Sequence, residues 1–259
     1  MRLRSLSCAT SFTLAFLVLP LVHSQTLSQG ISPNINLQNA LVTMRGEPVM
    51  NVQLTGTTKI GSHTSNYYYD AYLENLPTQN DSSSGVKLAI FGYLNGTLAK
   101  EWIGDGTNLW QYTVATNQYM VVNYTTNTHA PTIDTLLQNL SGLTDQYANP
   151  IVTLFRQAYS STGAQFHNWL GGGQLVKSTL PNVITYATST QAYSYNWVVD
   201  SNNQTALQSV NYYSDESAGG YEILTHWQLT PTPITTNSFS PSVFKFVPPV
   251  SAIPISVSK

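Results

Sequence analysis

Few side chains in this chain are placed to do chemistry, and each has a plainer role. Four histidines, His63, His129, His167 and His226, show no ligand spacing and no H-x-x-x-H pair, so no metal centre is expected. There is no G-x-S-x-G nucleophile turn. The run GGGQLVKST (Gly171–Thr179) mimics a phosphate loop, but Val176 stands where a glycine must precede the lysine, and a glycine helix stop accounts for it. Asp215-Glu216 has the composition of half a glycosidase pair, yet SDESAGG reads as a solvated turn. Glu101 alone draws interest: a carboxylate in an apolar strand has a raised pKa and can act as an acid or touch a headgroup, unless it lies at a wet rim. No catalytic residue, metal or cofactor is expected, and the chain is not read as an enzyme.

Composition narrows the partners. Charged residues make up only 8% of the 259, far below the roughly 25% of ordinary globular chains, so Asn, Thr, Ser, Gln and Tyr must solvate the surface. The formal net charge is −2 and no basic stripe exists, which argues against nucleic acid. Few carboxylates also suit an acidic habitat, where ion pairs fail as they protonate. Asn80, Asn95, Asn123, Asn139 and Asn203 lie in N-x-S/T triplets, as chance allows in a chain this rich in Asn and Thr.

The first 24 residues read as a cleaved secretory signal. Arg2 and Arg4 precede an apolar Phe12–Val22 run about half as long as a bilayer span, followed by Val22-His23-Ser24. The one cysteine, Cys8, falls inside this leader, so residues 25–259 have neither disulfide nor thiolate and must be held by core size. They are expected to form a single, monomeric domain, periplasmic or secreted.

The positioning elements follow from periodicity. Asn36–Arg45 reads as a short helix stopped by Gly46 and Pro48. Strands are expected over Val49–Ile60 and Tyr67–Leu76, around a GSHTSN turn. Asn95-Gly96 and Asp105-Gly106 are two-residue hairpin signals, which set Leu94 opposite Thr97, Ile90 opposite Glu101, and Glu101 opposite Trp110. That register puts Val86, Leu88, Ile90, Ala99, Ile103, Trp110, Tyr112 and Val114 on an inner apolar face, and Phe91, Tyr93, Trp102 and Leu109 outside.

Sheet chemistry then gives way to helical stripes. Ile133, Leu136, Leu137, Leu140 and Leu143 share one helix face. Asn149-Pro150 caps a second helix carrying Ile151, Leu154, Phe155 and Ala158, and Ala164–Leu170 reads as a third. Strands resume over Val183–Thr188, Gln191–Asp200, Ala206–Tyr213, Tyr221–Leu229 and Val243–Val247. The order predicts an α+β fold: a long, curling antiparallel sheet with short helices over its concave face.

These residues resemble a known family. Asp105-Gly106-Thr107-Asn108-Leu109-Trp110-Gln111-Tyr112 is similar to the DG-x-x-x-W-x-Y hairpin of the LolA/LolB-like periplasmic lipoprotein carriers. The helical stripes over 133–155 fall where that family has its lid. Asn196–Asp200 resembles its strand ending in a tryptophan-and-aspartate turn, and Ser238–Pro249 its closing F-x-F-x-P-P strand. The likeness spans Asn36–Pro249 and points to an exported branch of the superfamily. It implies a half-barrel sheet under helices that binds acyl chains of lipoproteins or other amphiphiles and exchanges them with membrane-bound donor or acceptor proteins. The family's early Arg-Pro latch is absent: Pro77 follows Leu76, and no arginine lies between Arg45 and Arg156.

The cavity wall is therefore expected at Leu88, Ile90, Ile103, Trp110, Tyr112 and Trp197, and the lid at Leu136, Leu137, Leu140, Leu154 and Phe155. Two other functions fit the same residues. One is an envelope-sensing or structural binding domain on this fold. The other is a carbohydrate-binding protein that stacks sugars on aromatics exposed in a shallow row.

Overall fold

A computed structural model describes residues 33–75, 85–123, 176–180, 183–189, 193–200, 202–203, 206–218, 221–235 and 239–255. The leader and the three helices expected between 131 and 171 lie outside these residues, and with them Leu136, Leu137, Leu140, Leu154 and Phe155. Among the described residues the architecture is one large antiparallel sheet carrying a single α-helix.

Helix α1 (Pro33–Gly46) forms where the sequence places it, starting a few residues earlier. Leu37, Ala40, Leu41 and Met44 repeat at i, i+3, i+4 and i+7 and are buried as one stripe, while Ile35 and Val42 face out. Arg45 in the last turn complements the helix dipole.

Eleven of the twelve strands pair antiparallel, in two meanders joined at the centre. On one side β1 (Val49–Ile60), β2 (His63–Glu74), β3 (Lys87–Leu94), β4 (Thr97–Asp105), β5 (Asn108–Thr113) and β6 (Gln118–Asn123) follow in order. On the other, β1 pairs with β11 (Tyr221–Pro233). Beyond it come β10 (Leu207–Ala218), β9 (Tyr193–Asp200), β8 (Val183–Ser189) and β7 (Val176–Leu180). The two-residue β12 (Ile253–Pro254) runs parallel to β6 at the opposite edge. Among the described residues β12 and β7 do not meet, so the sheet is open.

Turns fix most of the register. Gly61, at φ 58, lets Ile60 face His63, so the expected GSHTSN turn shrinks to two residues. Asn95 (φ 49) and Gly96 (φ 80) make the predicted hairpin, with Leu94 opposite Thr97. At Asp105 the carboxylate accepts the N–H groups of Thr107 and Asn108, both at 2.8 Å. That Asx turn moves the loop one residue on, to Gly106-Thr107, and sets Gly104 opposite Leu109.

One bulge overturns the face assignment. Between Gly92 and Tyr93 the β3–β4 register slips by a residue, leaving Ala99 extra, so Ile90 meets Trp102 rather than Glu101. Side chains alternate with period two, so the slip moves β4 and β5 onto opposite faces from those expected. Trp102 and Leu109 join Leu88 and Ile90, whereas Ile103, Trp110 and Tyr112 do not.

Two further expectations are corrected. SDESA is strand, since Asp215 and Glu216 pair with Leu224 and Ile223. Val176–Leu180, after the glycine run, adds edge strand β7, while Gly171–Gly173 lie outside the described residues. Val243–Val247 is not a closing strand: Pro241–Phe244 is a 3-10 turn, and the chain continues as a strap.

Candidate functional site

The sheet's two faces are chemically distinct. The face carrying α1 holds a continuous apolar cluster that runs over nine neighbouring strands, from Leu109 on β5 to Ile184 and Tyr186 on β8. At about 4.8 Å per strand this is roughly 40 Å across. Helix α1 is about 21 Å long and 10–12 Å wide, and its main sheet contacts are with β9 and β10.

Rings populate this helix face. Tyr195 stacks on Trp197 at 5.6 Å, Tyr212 on Trp227 at 4.8 Å, and Tyr195 tilts against Tyr212 at 4.6 Å. Tyr69 stacks on Trp102 at 6.4 Å in the other meander. Gly56 makes room for Trp227: a Cβ there would lie 3.0 Å from the Trp227 Cβ and 3.3 Å from the His226 carbonyl oxygen. Under the start of α1, burial pushes the Tyr186 phenol up in pKa, with the nearby Asn36 side chain acting in the opposite direction.

Of the wall residues expected from sequence, Leu88, Ile90 and Trp197 sit on this face, fully buried. Ile103, Trp110 and Tyr112 sit on the other. Trp102, Tyr69, Leu109 and Trp227 belong to the helix face but were not expected there. A signal existed for Trp102, because an isolated glycine inside a strand, here Gly92, marks a bulge.

Over β2 to β6 the second face carries the C-terminal strap. Phe246 lies against Trp110 (6.1 Å), Tyr112 (6.3 Å) and Tyr119 (5.5 Å), and Phe239 joins Tyr72 (5.9 Å) to Phe244 (5.4 Å). Lys87 ion-pairs with Glu74 at 3.0 Å and lies 5.8 Å from the Phe244 ring. The strap ends where Ile253 and Ile255 donate backbone N–H groups to the carbonyls of Asn117 (2.9 Å) and Tyr119 (2.8 Å). Ile103, Tyr112 and Phe244 are buried here, outside the main cluster, in a separate apolar layer.

Ionisable groups mark the boundary between the layers. Glu101 is half-buried on the strap face opposite Tyr112, and loss of hydration raises its pKa, as expected for an isolated carboxylate among apolar neighbours. Lys100 points to the helix face, its Nζ 5.9 Å from the Trp102 ring centroid, and desolvation lowers its pKa. Among the described residues no group of three or more His, Cys, Asp or Glu is placed to hold a metal. A recess of about 120 Å³ beneath the end of α1, lined by Met44, Met50, Leu207 and Pro233, is well below the roughly 300–1,000 Å³ of ligand pockets.

No family model matches the chain, and no curated protein matches its sequence. Solved structures do. An uncharacterised conserved protein from Thermus thermophilus matches at 8% identity and a TM-score of 0.39, over 86% of this chain and 98% of its own. Lipoprotein LppX of Mycobacterium tuberculosis matches at 11% and 0.38, over 77% and 92%. A LolA superfamily protein from Nitrosomonas europaea matches at 12% and 0.32, over 84% and 99%. The LolA-like resemblance read from the sequence thus has a counterpart among the structural matches.

Proposed function

We propose that this chain is an exported carrier or binding protein that holds acyl chains, of lipoproteins or other amphiphiles, against the helix face of its sheet. The observation that supports this is the width of that face: buried apolar and aromatic side chains on nine strands, with a fourteen-residue helix packed mainly on two of them. The site comprises Leu88, Ile90, Trp102, Leu109, Trp197 and Trp227, and the cover expected from sequence at Leu136, Leu137, Leu140, Leu154 and Phe155 lies outside the described residues. Binding is driven by burial of methylenes at about 0.8 kcal/mol each, so ten give roughly 8 kcal/mol before association costs. That suits reversible loading from, and release to, membrane-bound partners in the cell envelope. No catalytic step is assigned.

The reading is tested by titrating a fluorescent fatty acid and displacing it with unlabelled lipid. Trp102→Phe should weaken the probe several-fold, while Trp110→Phe on the strap face leaves it unchanged. Equal effects would put the site on the wrong face, and no displaceable probe would exclude a carrier.

A further inference from the structure

Register places one charge on the helix face of the β1 to β6 half of the sheet. Across β1 to β6 the helix-face positions carry apolar, hydroxyl and amide side chains, His63 at the far end of β2, and a single Lys, Arg, Asp or Glu: Lys100. It reaches this face only because the Gly92 bulge reverses β4. The one salt bridge among the described residues, Lys87–Glu74, lies on the strap face, and Glu101 beside Lys100 also points there. Lys100 thus lies over Trp102 with no counter-ion among the described residues, partly stripped of water.

The neighbours of Lys100 are arranged to admit a ligand. Its partner on β3 is Gly92, which puts no side chain between Lys100 and Tyr69 on β2. Its partner on β5 is Thr113, which faces Gln118 on β6, so a hydroxyl and an amide extend the polar row toward the sheet edge. One step along the strands Trp102, Ile90 and Ala71 stand side by side, with Gln111 next to Trp102 on β5. Polar headgroup and apolar tail are therefore matched within two adjacent rows.

We propose that Lys100 is the headgroup anchor of the site, selecting amphiphiles whose head is an anionic oxygen group, a carboxylate or phosphate. The ammonium donates to the anion in a partly water-excluded setting, where a charge-assisted hydrogen bond is strong. Thr113 and Gln118 donate to its remaining oxygens, and the acyl chain runs from there over Trp102 and Ile90. This rests on the acyl-binding reading above and narrows it to anionic ligands.

The test compares oleate, below its micelle concentration, with oleyl alcohol, which has the same chain and no charge. Oleate should bind the parent protein about tenfold more tightly. Lys100→Met, which keeps a flexible apolar stem over Trp102, should abolish that preference without weakening oleyl alcohol. Lys100→Arg, with its charge kept, should restore it and serves as the folded control. Dioleoyl phosphatidylglycerol, in a second arm, separates the anions: tighter binding than oleate identifies phosphate, and weaker binding identifies carboxylate. Equal affinity for oleate and oleyl alcohol, or an oleate preference that survives Lys100→Met, overturns the anchor and leaves the carrier reading standing. Binding of neither ligand removes both.

Discussion

Removing the Phe246 ring should release the strap while leaving the ligand face intact. Phe246 is half-buried and touches three rings, Trp110, Tyr112 and Tyr119, at 5.5 to 6.3 Å. A fully buried Phe→Ala change costs about 3–5 kcal/mol, so a half-buried one should cost about 2 kcal/mol. That loss falls on the strap, because little else of 245–255 is buried. Hydrogen exchange at the Ile253 and Ile255 amides reports strap opening directly, since these groups donate to Asn117 and Tyr119. At 1.4 kcal/mol per tenfold, Phe246→Ala should speed their exchange about thirtyfold. Amides in β1 and β2 should exchange as before, and the fatty-acid probe should bind as before. Unchanged exchange at Ile253 would mean that the rings do not hold the strap. Loss of probe binding in a folded variant would mean that the two faces are not independent.

Two other substitutions probe the sheet. Glu101→Gln should stabilise the protein at neutral pH: burial raises the folded-state pKa, so ionisation costs the native state stability above that value. The gain should shrink as pH falls through the folded value and vanish below the ordinary carboxylate range; a gain that instead grows with acidity, in paired urea titrations, would contradict the desolvated carboxylate. Gly56→Ala should destabilise by about 1–3 kcal/mol, because its Cβ would press on the Trp227 Cβ and the His226 backbone; a neutral melt would show that β11 yields freely.

How much of this was legible depended on whether the deciding interaction was local. Asn95-Gly96 declares its hairpin because positive φ at both positions is a property of the dipeptide, and the α1 stripe declares itself by spacing. Trp102 and Trp110 were assigned to the wrong faces because one bulge inverts all that follows it, and both tryptophans suit either face. Gly92 was the available cue, since a glycine buried within a strand packs nothing of its own. Phe244-Lys245-Phe246 alternates like a strand, and only Pro241, Pro248 and Pro249 hint otherwise, by removing the N–H groups a central ladder needs. SDESA looked like a turn from its composition, yet strand pairing carries Asp215 and Glu216 out to Ala218.

The most direct measurement is the identity of what the protein carries. Protein purified without detergent should be extracted and its lipids identified by mass spectrometry, with the Trp102→Phe and Trp110→Phe variants alongside. Near-stoichiometric acyl lipid in the parent and Trp110→Phe, with less in Trp102→Phe, is the predicted result. No lipid from the parent, together with no uptake when lipid is added back, would contradict acyl binding on the helix face.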